Sequence, residues 1–359
     1  MKYYLFLLMA GIFFSCSSDS KNQDDQSMNE APEEKFRLVE DQAEEKVNVL
    51  IDGELFTAYI YPDDIKKPTL WPIKTESGKI LTRRFPMDTI AGEQVDHPHH
   101  VGLWLNYGDV NGLDFWNNSE AIPPEKRENY GTIRHQEVVN VESGNDQGVL
   151  EVKADWVAPD GEVLLKEETK FVFHEIDGIR VIDRYSELTA QDTKVDFTDN
   201  KEGMIAVRVT RALEIPSDKA SKLTDAHGNV TIVEPSDDTT AKGNYISSEG
   251  VEGNDVWGTR AKWVKLYSEM EGEPVSISIL DHPSNVGYPT YWHARGYGLF
   301  SANPLGQKIF SEGEEELNFS LEPGESTKFN YRVLVNSGNV LETQKIEEIY
   351  QDWASSSPL

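Results

Sequence analysis

The chain is 359 residues long, carries 34 Lys and Arg against 63 Asp and Glu, and has a formal net charge of −29 with a pI near 4.6. A surface this acidic repels polyanions, which argues against nucleic acid and anionic lipid headgroups as partners and favours a small neutral or sugar-like ligand. A single cysteine, Cys16, excludes an intramolecular disulfide.

Met1-Lys2 gives a short basic start, residues 3–14 are almost wholly apolar, and Ser15-Cys16 follows at once. Residues 1–15 therefore read as an export signal and Cys16 as a lipid attachment point, in the manner of a bacterial lipoprotein. Phe13-Phe14-Ser15 is a loose form of the small-residue box, and an ordinary signal with an incidental cysteine is the alternative. Residues 16–35 are polar and acidic and read as a flexible tether. Asp19, Asp24 and Asp25 resemble signals for outward display. The expected location is the cell envelope or outer membrane, periplasmic or surface-exposed, with membrane contact through the lipid anchor only.

Residues 36–359 read as one domain dominated by period-2 alternation. Residues 47–51 and 55–61 flank Asp52-Gly53, and residues 169–173 and 179–183 flank Asp177-Gly178, so both pairs read as hairpins. Asp160-Gly161 repeats the device. Further strands fit residues 203–213, 261–267, 275–280 and 329–335, with a Pro323-Gly324 turn before the last. Leu341, Ile346, Ile349, Tyr350 and Trp353 share one face of a C-terminal helix. The pattern predicts an all-β fold, a large antiparallel β-sandwich or barrel with a short C-terminal helix, in which loops at one end of the sheets carry the chemistry. After residue 14 no apolar run approaches the roughly 20 residues of a membrane span.

The polar residues that do not look like plain surface collect in a few stretches. Asp96-His97-Pro98-His99-His100 holds three of the eight histidines. Neutral imidazoles of His97 and His99 could share one divalent metal ion, with His135 or His293 as a third ligand. Alternatively His99 or His100 could work with His293 as an acid/base pair on an anomeric or glycosidic oxygen, with Arg260 or Arg295 holding the substrate. A third reading has the imidazoles capping turns, which suits His174 and His227 best. Among the carboxylates Asp109, Asp114, Glu202 and Asp281 flank glycine, tryptophan or histidine. Glu202 stands out, because Lys201-Glu202-Gly203 opens an otherwise apolar strand and burial there would raise its pKa. Trp104, Trp116, Trp257 and Trp292 read either as core or as faces for stacking on a sugar ring.

Taken together, DHPHH (96–100), GLW (102–104), GDVNGLDFW (108–116), KEGM (201–204), WGTRAKW (257–263), DHPSN (281–285), PTYWHARGYGLFSANP (289–304) and LEPGE (321–325) resemble the family labelled methane oxygenase PmoA-like. The resemblance runs from about Lys67 to Val335. It departs at Val101, where an arginine is usual, at Asn200, where a threonine is usual, and at Gly296, where an acidic residue is usual. The label implies a metal-dependent oxygenase. The same family resembles galactose-mutarotase-type supersandwich proteins, which act on carbohydrates and pair histidines with acidic residues and arginine. That second resemblance implies a tethered carbohydrate-active enzyme of mutarotase, epimerase, lyase or hydrolase type. Its expected catalytic residues are His99, His100, His135, Glu202 and His293. The expected substrate-binding residues are Asp109, Trp116, Lys201, Arg260, Asp281, His282, Arg295 and Asn303. A non-catalytic sugar-binding lipoprotein is the other alternative.

Overall fold

The computed structural model describes residues 34–356. The expected signal, Cys16 and all but the last two residues of the tether lie outside them. Asp52 and Gly53, at φ 51° and 81°, make the tight turn between the strands Lys46–Ile51 and Glu54–Ile60. Asp177 and Gly178, at φ 51° and 80°, do the same between Val163–Ile176 and Ile179–Ala190. Two successive left-handed residues match the right-handed twist of the strands they join, which is why Asp-Gly recurs there.

Two eight-stranded antiparallel sheets result. The first runs Phe36–Asp41, Lys46–Ile51, Glu54–Ile60, Thr69–Leu70, Leu103–Leu105, Ile205–Arg208, Leu299–Asn303, Tyr291–Ala294. The second runs Asn244–Ser247, Trp263–Met270, Glu273–Asp281, Ser326–Ser337, Ile179–Ala190, Val163–Ile176, Gln147–Val157, Thr132–Glu142. Val49, Phe56, Leu103, Ile205, Val207 and Phe300 of the first sheet join Leu150, Phe171, Ile182, Leu266, Ile277 and Val333 of the second in one apolar core. This is the expected antiparallel β-sandwich.

Alternate residues on the middle strands of the second sheet turn away from that core. Val181, Trp263, Leu280 and Leu334 would be exposed if nothing covered them. The C-terminal helix Thr343–Ala354 lays Ile346, Ile349, Tyr350 and Trp353 over them. Trp353→Ala is expected to lower stability by about 3–5 kcal/mol, the range for deleting a buried aromatic side chain, measured by urea unfolding. Two residues expected in the site are absorbed by this packing and the loops beside it. The His282 ring meets Trp353 edge-on at 4.9 Å. Asp281 is fully buried and accepts from Asn285 Nδ2 at 2.8 Å and from the Thr290 amide at 2.9 Å, and burial pushes its carboxyl up to about 7.

Candidate active site

The outward face of the first sheet is the floor of the site. Leu103, Leu105, Ile205, Val207, Phe300 and Ala302 point into the core, so Trp104, Ala206, Arg208, Ser301 and His293 point the other way. Register sets His293 opposite Ser301, Ser301 opposite Ala206, and Ala206 opposite Trp104. Two small side chains thus lie between an imidazole and an indole. The space above them is a cavity of about 470 Å³ lined by His97, His99, His100, Trp116, Asn117, Asn200, Lys201, Glu202, His293, Arg295 and Tyr297. This cavity lies on a sheet face beneath loops, whereas the strand pattern directed attention to the loops at one end of the sheets.

The histidine loop is a turn. Pro98 supplies the fixed φ of its second position and the His100 amide donates to His97 O at 2.9 Å. The turn brings the His97 ring parallel to that of His100 at 4.9 Å, and parallel to Tyr297 at 5.4 Å. Two buried arginines hold the loop from below. Arg83 Nη1 and Arg208 Nη2 donate to the same Asp96 oxygen at 2.6 and 2.7 Å, and Arg83 Nη2 donates to His97 O at 2.8 Å. The other Asp96 oxygen takes the His97 Nδ1 proton at 2.7 Å. Arg208 Nη1 lies 3.2 Å from His100 Nδ1. A guanidinium only donates, so His100 Nδ1 is unprotonated and the neutral ring carries its proton on Nε2. Burial, then the neighbouring His99 and Arg208, hold this imidazole far below the ordinary histidine range.

His293 is set in the same way from the opposite side. Arg295 Nε donates to His293 Nε2 at 3.1 Å, which leaves the proton on Nδ1, 3.6 Å from Glu202 Oε2. Burial, then Arg295 and Lys201, lower His293 to about 3. Glu202 also faces Lys201 Nζ at 3.2 Å, and burial raises its carboxyl above the ordinary range. Gly203 is required beside it, since a Cβ there would sit 2.4 Å from the Tyr107 ring. His99 is 8% exposed and Trp116 1% exposed, and neither His99 Nε2 nor Trp116 Nε1 has a hydrogen-bond partner among the described residues.

The two imidazoles expected as a metal pair, His97 and His99, lie edge to face with ring centroids 5.6 Å apart. His97 also stacks on His100, and its Nδ1 donates to Asp96, which leaves Nε2 as its other ring nitrogen. Burial, then the neighbouring Lys67, lower His99 to about 2, so its imidazole is neutral. Among the described residues no three His, Cys, Asp or Glu side chains could hold a metal ion.

Of the other expected residues, Trp116, Lys201 and Arg295 line the cavity, and Asn303 supports it by donating to Asn200 O at 2.8 Å. His135 lies elsewhere, stacked on Tyr61 at 3.9 Å and hydrogen-bonded to the Tyr59 hydroxyl at 3.1 Å, because its strand belongs to the second sheet. Asp109 caps a turn through the Gly112 amide at 3.0 Å. Arg260 donates to Gly287 O and Pro289 O at 3.0 and 2.7 Å and pairs with Glu315, pinning a loop. Sequence reasoning missed Arg83, Arg208, Asn117 and Tyr297. Only the alternation of Arg208 with Val207 marks it as facing away from the core.

The family model that matches, over residues 46–351, is described as a family of unknown function, DUF6807. The chain belongs to that family. No curated protein matches this DUF6807 chain in sequence. Among solved structures it is similar to the galactosidase domain of an alpha-galactosidase-sucrose kinase, at 9% identity and TM-score 0.40, covering 84% of this chain and 41% of that one. The GH36 alpha-galactosidase AgaA from Geobacillus stearothermophilus follows at 11% and 0.37, covering 85% and 41%. A galactose mutarotase related enzyme from Lactobacillus acidophilus gives 10% and 0.30, covering 85% and 98%. The DUF6807 chain thus spans about two fifths of the length of the two galactosidase chains. At these scores the likeness decides nothing about activity, which the site itself must argue.

Proposed function

We propose that this site is that of a carbohydrate-active enzyme, in which Glu202 is the proton donor and acceptor and the histidines bind and orient a sugar or glycoside. Two of the three buried polar atoms of the cavity lining that have no hydrogen-bond partner among the described residues carry the reading: His99 Nε2 and Trp116 Nε1, the third being His293 Nδ1. A buried polar group left unpaired costs about 1–3 kcal/mol, so a hydroxyl-rich ligand that pairs with both is bound with that much gain. The cavity falls within the size of small-molecule sites, about 300–1,000 Å³.

The roles follow from the protonation states. Both His100 and His293 are kept neutral by burial beside guanidinium groups, so they donate and accept hydrogen bonds without carrying charge. His100 offers Nε2–H to a ligand hydroxyl. His293, held by Arg295, keeps its Nδ1 proton 3.6 Å from Glu202 and without a hydrogen-bond partner among the described residues, so it too is open to a ligand oxygen. Glu202, with its raised pKa, keeps a proton closer to neutral pH than a surface carboxylate does and can deliver it to a ring or glycosidic oxygen. Mutarotation, epimerisation, elimination and hydrolysis all use such a group. The deciding experiment incubates the full chain with aldoses, keto-sugars and aryl glycosides and follows each by NMR in D₂O. Turnover of one class supports the proposal. Binding without turnover would leave a sugar-binding protein.

The proposal includes attachment to the cell envelope through lipidated Cys16, motivated by the apolar run at residues 3–14 directly before it. Labelled palmitate should enter the wild-type chain in a bacterial host and not Cys16→Ala. Equal labelling of both would refute the anchor.

A further inference from the structure

The charge around the cavity is opposite in sign to that of the chain. Lys201 and Arg295 line it and Arg83 and Arg208 lie beneath its histidine loop, against the carboxylates of Asp96 and Glu202, while burial lowers the nearby Lys67 to about 7. Arg83 and Arg208 must share one carboxylate, Asp96. Arg295 has no carboxylate within ion-pair distance among the described residues, and the only hydrogen bond of its guanidinium to them is the one from Nε to His293. Its guanidinium is packed against the Trp257 ring at 4.8 Å, which fixes its plane while leaving Nη1 and Nη2 without hydrogen-bond partners beside the cavity. Lys201, by contrast, spends its charge on Glu202. A neutral sugar offers hydroxyl oxygens to the Arg295 fork but no charge to balance its own.

We infer that the ligand is an anionic sugar, whose oxyanion, a carboxylate or a phosphate ester, is held by Nη1 and Nη2 of Arg295 across the cavity from His99, His100 and Trp116. The inference rests on the carbohydrate reading above and narrows its substrate class. Both terminal nitrogens of a fixed guanidinium match the two oxygens of a carboxylate, a geometry that a lysine cannot supply. The ring hydroxyls then fall to the unpaired His99 Nε2 and Trp116 Nε1, and to His100 Nε2–H. The net acidity of the chain works against anion capture from afar and makes the local excess of positive charge the discriminating feature. Binding should therefore strengthen as salt screens the acidic surface and weaken only where salt competes at the site itself.

The test is calorimetric titration of the full chain with glucuronate and galacturonate, with glucose 6-phosphate, and with the parent neutral hexoses. At least one anionic sugar should bind about tenfold or more tighter than its neutral parent, the worth of one charge-assisted hydrogen bond. The uronate and phosphate arms tell which oxyanion is taken. Arg295→Gln should erase the preference, and Arg295→Lys should keep part of it, whereas a merely structural role for Arg295 would make both variants weaken anionic and neutral sugars alike. Neutral hexoses binding as tightly as their acids would overturn this inference and leave the carbohydrate reading standing. Failure of every sugar to bind would overturn both.

Discussion

Glu202→Gln is expected to reduce turnover by about 10²- to 10⁴-fold, the usual contribution of a positioned acid or base, with substrate affinity changed far less. Gln keeps the shape, can still accept from Lys201 Nζ, and still faces His293 Nδ1, so the variant removes the titratable proton and the negative charge opposite Lys201 while keeping the contacts. The pH profile separates this from a folding defect. The Glu202 carboxyl is raised by burial, so the protonated form persists above the ordinary glutamate range and the wild-type rate should fall as pH rises through that raised pKa. The residual rate of Glu202→Gln should lack that limb. A variant within tenfold of wild type, or one that keeps the limb, would remove Glu202 from the chemistry and return the proton transfer to His99 or His100.

Asp96→Asn should be the most destabilising substitution in the histidine loop. It leaves Arg83 and Arg208, 1% and 0% exposed, without the carboxylate they share. Breaking a buried ion pair costs about 3–5 kcal/mol, and because Asp96 is itself a third exposed we expect about 3 kcal/mol, read from urea unfolding at neutral pH. Burial alone would raise the Asp96 carboxyl, but the His97 hydrogen bond and the charges of Arg208 and Arg83 outweigh it and hold the group well below the ordinary range. A depressed carboxylate stabilises the fold fully above the unfolded pKa of about 3.9 and loses that contribution as pH falls toward the folded value. The gap between wild type and Asp96→Asn should therefore be constant from pH 6 to 8 and shrink below about pH 4. A gap that is absent at neutral pH would mean that the two arginines find other acceptors.

The two Asp-Gly hairpins, the Pro323-Gly324 turn and the C-terminal helix were readable from local chemistry. Each depends on residues adjacent in sequence or one helical turn apart, and in each the required φ or the apolar spacing is written in the residue types. Strand bounds were less legible. The apolar run expected as one strand over residues 203–213 is a strand only at Ile205–Arg208, after which the chain bends into a short 3-10 turn at Arg211–Leu213. There the run continues because both faces are covered, and periodicity alone cannot mark where pairing stops.

Half of the candidate site was legible, and the reason is the same. His99, His100, Trp116, Lys201, Glu202, His293 and Arg295 stood out as polar or aromatic side chains in glycine-rich stretches, and they do converge. His135, Asp109, Arg260, Asp281 and His282 stood out in the same way and are spent on turns, loops and the helix contact. The residue type shows that a polar group needs a partner; which partner it finds depends on what folding brings near.

The sequence by itself determined the alternation, the tight turns and the acidic surface, because these are properties of neighbours along the chain and of composition. Only the tertiary structure decided the site. It placed Ser301 and Ala206 side by side between His293 and Trp104, gave Asp96 one arginine 13 positions before it and another 112 positions after it, and left Arg295 with no carboxylate in ion-pair distance among the described residues. The longest of those pairings, Asp96 with Arg208, spans 112 positions, and burial, followed by neighbouring charges, keeps His99, His100 and His293 neutral whatever their own stretch of chain brings.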